Sequence, residues 1–252
     1  MENALPGRNE WEQLIPDEQW TIYKSAIDAI SAAKRAFMLG GAFGLAGYTG
    51  RCRNTKDLDI YVLPSDGEAV IDALTKAGFE DFYGRLPYDR GWIYRSIQND
   101  IIVDVIWGTP YRLTEVDADW FKHSRPISVK GEKMRIVPPE ELVWVKLFVL
   151  QRDRCDWPDL LNLLRISGGE IDWDRLLHRV GPDFGLLQAL MQVYNWLCPV
   201  EALALPARIR EVFKLTVPTA EERGLDPRAR VALLDSRPWF ALFQPADKPM
   251  QI

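Results

Sequence analysis

The sequence predicts an α+β fold: a mixed β-sheet core with flanking helices, followed by a helical C-terminal half. Two features carry this prediction. Up to about Val137, strand-length apolar runs alternate with segments of helical period, whereas beyond Pro138 only helical periods recur. The 252 residues are 47% hydrophobic and 27% charged, an ordinary globular composition, and a chain of this length builds one large domain or two modest ones. The expected division is into residues 1–137, which carry the sheet, and residues 138–252, which are helical.

Residues Trp11 to Arg35 read as helix, broken at Ile15-Pro16-Asp17, with Asp17 as the expected N-cap. Trp20, Ile22, Tyr23, Ile27 and Ile30 recur at helical spacing and give it a buried face. From Phe37 an apolar step runs into the glycine pair Gly40-Gly41. A glycine-rich loop with two arginines is expected next, and then a strand from Asp57. Successive strand side chains point to opposite faces, so Asp57 and Asp59 share one face and Leu58, Ile60 and Val62 the other. Ser65 is the expected cap of a helix over 66–76, which Gly78 ends. Phe79 to Tyr83 is a short strand candidate. Trp92–Ile97 and Ile101–Trp107 read as a β-hairpin through Gln98-Asn99-Asp100, because Asn and Asp tolerate positive φ. Ile127–Lys130 and Met134–Val137 form another, turning at Gly131-Glu132.

Pro138-Pro139 ends the sheet region and Glu140-Glu141 opens a helix, with acids in the first turn as the helix dipole prefers. Leu142, Val143, Lys146, Leu147 and Leu150 fall on one face of it, so Lys146 lies on or beside the apolar side. Either its stem packs while the ammonium escapes to water, or the ammonium is aimed into a polar site. Further helices start at Asp156 or Trp157 and at Asp172, and others cover Leu186–Leu197 and Ala207–Leu215. From Thr219 charges, prolines and isolated aromatics mix, and an arm or short helices are expected.

A net charge of -5 argues against a general nucleic-acid surface, and no DNA partner is expected. The first residues carry no apolar signal segment and no apolar run is long enough to span a bilayer, so a cytoplasmic protein without a membrane partner is expected. Cys52, Cys155 and Cys198 show no zinc spacing, and His123 and His178 lie far apart. A histidine metal site or a Ser-His-Asp triad is therefore disfavoured.

What remains is a carboxylate site. Paired aspartates at a strand start repel each other unless a cation lies between them. Alone, a D-x-D spacing is common and mostly marks solvated strand ends. Asp104 sharpens the case, since a charge within the apolar run 101–107 is costly without a partner. Mg²⁺ ions held by such acids polarise a nucleotide phosphate, while backbone amides at Gly40-Gly41 are able to cradle the terminal phosphates.

In this combination the chain resembles the nucleotidyltransferase superfamily that includes DNA polymerase beta, the aminoglycoside nucleotidyltransferases and the AbiE-type toxins. The resemblance rests on Leu39-Gly40-Gly41, Asp57-Leu58-Asp59-Ile60 and Asp104, and on the Arg53-x-Thr55-x-Asp57 approach. The helix from Pro139 to Lys146 and the Arg/Asp-rich turn from Arg152 to Asp159 add to it, so that it spans roughly Phe37 to Leu164. The resemblance implies that residues 1–137 are the catalytic domain. Asp57, Asp59 and Asp104 would be catalytic and bind two Mg²⁺ ions, with Asp59 bridging them and Asp104 orienting or deprotonating the attacking hydroxyl. Gly40 and Gly41 would hold the β- and γ-phosphates, Lys146 would contact the triphosphate, and Arg53 and Thr55 would bind nucleotide. Arg152 and Asp156 would form an ion pair closing the second half over the cleft. The implied activity is Mg²⁺-dependent transfer of NMP from an NTP, ATP included, to a hydroxyl of a small molecule, an RNA end or a protein, with release of pyrophosphate. The alternative is a catalytically degenerate relative that binds nucleotide as a sensor or partner module. Antibiotic modification and a toxin with an antitoxin partner are the two biological settings of the relatives.

Overall fold

A computed structural model describes residues 10–51, 55, 57–151, 154–224 and 230–231. It divides into two compact units, the first ending at Pro138 and the second beginning at Pro139.

The first unit is a seven-stranded mixed sheet in the order β3-β4-β5-β2-β1-β7-β6. Its strands are β1 (Met38–Leu39), β2 (Asp57–Tyr61), β3 (Glu80–Asp81), β4 (Ile93–Gln98), β5 (Ile101–Ile106), β6 (Arg125–Val129) and β7 (Glu132–Ile136). The central strand β2 runs parallel to β5 and antiparallel to β1. Leu58 and Ile60 are fully buried while Asp57 and Asp59 are only partly covered, which is the alternation the sequence carries. Helix α1 (Asp17–Ala32) buries Tyr23, Ala26, Ile27 and Ile30. Helix α3 (Gly67–Lys76) buries Val70 and Leu74.

The stretch expected to be a glycine-rich loop is largely helical. Helix α2 covers Gly41–Thr49 and ends at Gly50, which adopts the left-handed conformation with φ 66°. Its glycines fit close packing: a Cβ on Gly47 would press on the Cδ1 atoms of Ile127 and Ile136 at 2.8 Å, so this face of α2 lies directly on β6 and β7.

Several boundaries differ from expectation. Pro16 takes the N-cap position of α1, and Asp17, one residue inside, accepts Lys130 Nζ at 2.7 Å instead of capping. Ser65 sits in a 3₁₀ turn and α3 begins at Gly67, without a side-chain cap. The strand over 79–83 shortens to β3 because Asp81 accepts the Tyr83 amide and starts a 3₁₀ turn. The β6–β7 turn is Lys130-Gly131, both at positive φ, one residue earlier than expected. Helix α4 (Ala118–His123), capped by Asp117, has no counterpart in the expected elements.

The second unit is helical: α5 (Pro139–Leu147), α6 (Trp157–Ser167), α7 (Trp173–Val180), α8 (Phe184–Leu197), α9 (Pro199–Leu203), α10 (Ala207–Val212) and α11 (Ala220–Arg223). Asp172 caps α7 through the Arg175 amide. Leu187, Leu190, Met191 and Tyr194 form the buried stripe of α8, at the i, i+3, i+4, i+7 spacing of an amphipathic helix. Glu140 and Glu141 are buried and meet Arg175 and Arg179 of α7, which ties α5 to α7 by charge. Among the described residues no helix is long and apolar enough to cross a membrane.

Candidate active site

The carboxylates sit where β2 and β5 run side by side. Their parallel register pairs Asp59 with Asp104 and Asp57 with Ile102. On the other side of β5 the antiparallel register pairs Asp104 with Arg95 of β4. Side chains directly opposite in a sheet share a face, so Asp59, Asp104 and Arg95 form one row across three strands, with Asp57 two residues along.

Asp59 owes its seat to the glycine pair. Gly41 opens α2 at φ +49°, and a Cβ there would overlap Oδ2 of Asp59. A Cβ on Gly40 would run into the Tyr61 ring, itself stacked on buried Trp120 with centroids 5.7 Å apart. The carboxylate of Asp59 therefore abuts the N-terminal end of α2, where the helix dipole favours negative charge. The Gly40 amide donates to the Asp59 carbonyl at 2.9 Å, so the sheet engages it and it is not left over for a ligand. Asp57 accepts a hydrogen bond from the Thr55 hydroxyl, and the Thr55 carbonyl accepts from Gln19 and Tyr23 of α1. Thr55 thus anchors Asp57. Arg53 lies outside the described residues.

Asp104 has a partner that the sequence reading missed. Arg95 donates to it side-on, Nε to Oδ1 at 2.8 Å and Nη2 to Oδ2 at 2.6 Å. Asp104 is 2% exposed and Arg95 31%. The Arg95 guanidinium is held above its ordinary pKa first by the hydrogen bond to Asp104, against its own burial, and then by the charges of Asp104, Asp57 and Asp59. Tyr88 braces the arginine, its hydroxyl accepting the Arg95 amide at 2.8 Å.

A hard divalent ion suits the oxygen donors of Asp57 and Asp59, two carboxylates that lie on one face of the strand. Asp104 fits less well as a third ligand, because Arg95 engages both of its oxygens. Among the described residues no three His, Cys, Asp or Glu side chains converge as a metal site.

The other expected site residues have partners within their own units. Lys146 belongs to the second unit, where its side chain is 7% exposed and its ammonium donates to Asp156 at 2.6 Å and Asp159 at 3.0 Å. It neither reaches water nor stands uncompensated. Asp156 also takes Arg154, while Arg152, its expected partner, lies outside the described residues. Of the basic residues around the β6–β7 hairpin, Lys130 holds Asp17 and the Ile15 carbonyl, Arg135 holds Ser124, and Arg125 lies over the Tyr48 ring. A cavity of about 820 Å³ lies between α3 and β3–β4, lined by Ile71, Thr75, Phe79, Tyr94 and Trp107 among others, and none of the three aspartates lines it.

A family model described as "Uncharacterised nucleotidyltransferase" matches residues 37–193, more than half of the chain, and the protein belongs to that family. No curated protein matches it in sequence. Among solved structures it is similar to the antibiotic-resistance factor ANT(2″)-Ia at 13% identity, over 69% of this chain and 95% of that one, with a TM-score of 0.49. It is also similar to the lincosamide antibiotic adenylyltransferase LnuA bound to lincomycin, at 18% identity over 60% and 98% of the two chains, TM-score 0.42. A third is JHP933 from Helicobacter pylori, at 15% identity over 90% and 99%, TM-score 0.35.

Proposed function

We propose that this nucleotidyltransferase moves NMP from an NTP to an acceptor hydroxyl, depends on Mg²⁺ and releases pyrophosphate. The observation that carries this reading is the seat of Asp59 against Gly41, which joins a carboxylate pair to the start of a helix in one small space. Asp57 and Asp59 would hold the ion, and Mg²⁺, when bound, supplies a Lewis acid that polarises a phosphate oxygen. The first amides of α2 beyond Gly40 have no acceptor within the helix and, with the helix dipole, favour the terminal phosphates. Thr55 holds Asp57 in orientation.

A small hydroxyl compound is the acceptor class this reading favours. The chain carries a net charge of -5, and of the basic residues Lys122, Arg125, Lys130, Lys133 and Arg135, which would serve an RNA end, Lys130 and Arg135 are engaged within the first unit. Incubating the protein with each α-labelled NTP and fractionated cell extract tests the proposal. Label is expected to enter one small-molecule fraction in Mg²⁺ buffer and none in EDTA. Calorimetric binding of NTP with no pyrophosphate release under any condition would overturn it in favour of a nucleotide-binding module.

A further inference from the structure

We infer that the site works with a single divalent ion, held by Asp57 and Asp59, and that Arg95 supplies in fixed form the positive charge a second ion would otherwise bring. The inference rests on the divalent-ion reading above and adds the stoichiometry and the role of Arg95.

The geometry makes the pair a built feature. The two-residue turn at Asn99-Asp100 sets the β4–β5 register and puts Arg95 opposite Asp104, and the β2–β5 register then puts Asp59 on the far side of the same carboxylate. Both Asp104 oxygens receive a guanidinium N–H, the planar fork that matches a carboxylate and that a lysine cannot reproduce. Each Asp104 oxygen spends one of its two lone pairs on a charged donor, and a second divalent ion on the other would stand against a guanidinium within hydrogen-bond distance of the same oxygens. The arginine is itself held at its backbone by Tyr88 and lies near the Phe82 ring at 5.9 Å. Pulling it away would take the bidentate charged partner from a carboxylate that is 2% exposed. Asp104 is then a positioning residue for Arg95.

Mn²⁺ titration followed by electron paramagnetic resonance, on the full chain with a non-hydrolysable NTP analogue present, tests this. One Mn²⁺ per chain is expected in the wild type, and still one in Asp104→Asn with affinity changed less than about threefold. Two Mn²⁺ per wild-type chain, or the loss of a bound ion in Asp104→Asn, would overturn the inference while leaving the nucleotidyl-transfer reading intact. No bound ion at all would overturn the divalent-ion reading and this inference with it. In turnover, Arg95→Met is expected to lower kcat at least tenfold and Arg95→Lys to recover part of that loss. Equal loss in the two variants would count against a charge role for Arg95. The ion count in wild type and Asp104→Asn stands even if Arg95→Met fails to fold.

Discussion

Arg95 and Asp104 face each other on one rung of the β4–β5 hairpin, and the arginine closes both oxygens of a carboxylate that is almost wholly buried. The two partners differ in exposure, 31% against 2%, so the pair should respond unequally to being broken. Arg95→Met takes the bidentate charged partner from a buried carboxylate and is expected to cost about 3–5 kcal/mol. Asp104→Asn leaves the guanidinium partly in water with one neutral acceptor, and about 1–3 kcal/mol is expected. Urea unfolding of both variants measures the difference. The opposite order would mean that the pair is wetter than its geometry indicates.

Gly41 offers a cleaner separation of stability from activity. An alanine there meets two obstacles, a backbone at φ +49° and the Asp59 carboxylate in the place of its Cβ. Gly131 has φ +88° but nothing within 4 Å of a Cβ. Each Gly→Ala change is expected to cost about 1–2 kcal/mol for the left-handed backbone. Only Gly41→Ala should also displace Asp59, with at least a ~100-fold loss of NMP transfer on the scale of removing one electrostatic contact from an active site. Thermal melts and initial rates on the two variants read the two effects apart.

How far the sequence reaches is visible in these same residues. The alternation of Asp57 to Tyr61 displays the central strand and its acidic face directly, because only an extended chain sets every second side chain on the same side. Arg95 was within reach as well. A two-residue turn at Asn99-Asp100 pairs Gln98 with Ile101 and, counting back, Arg95 with Asp104. Counting register across the turn would have met the demand for a partner that Asp104 makes. Helix α2 was hidden for a local reason: Gly44 and Gly47 depress helix propensity, and only the β6–β7 surface against Gly47 shows why a small residue is needed. The partners of Lys146 were hidden because the turn between α5 and α6 brings Asp156 back to it, and no period in the sequence encodes that return.

Asp57 and Asp59 lie side by side with like charge, so neutralising either should not harm the fold. Asp57→Asn and Asp59→Asn are expected to keep the melting temperature within a few degrees of wild type, or to raise it, because they relieve repulsion at a strand start. Turnover should fall by at least about 100-fold in each. A variant that loses activity only by unfolding would show both losses together in a melt and a rate measured on one preparation.

Lys146 gives a prediction with a pH signature. Its ammonium is buried between Asp156 and Asp159 in the second unit. Burial pushes the Asp156 carboxyl up, but the charge and hydrogen bond of Lys146, together with Arg154, outweigh it and hold the group below its ordinary value. A depressed carboxylate contributes stability above its unfolded pKa of about 3.9, and that contribution is lost as pH falls through the lower folded value. Lys146→Met removes the main partner and leaves burial opposed by Arg154 alone, which takes away most of the depression, so the folded variant loses less as pH falls. The stability gap between wild type and Lys146→Met is therefore expected to be about 3–5 kcal/mol at neutral pH and to shrink below about pH 4. Denaturant melts at neutral pH and through the acid range measure it. A gap that stays constant with pH would mean that packing of the lysine stem, and not its charge, holds α5 to α6. The same variant bears on the nucleotide: if Lys146 serves the triphosphate, KM for NTP rises under conditions where the variant is fully folded, whereas a purely structural lysine changes the melt and leaves KM alone.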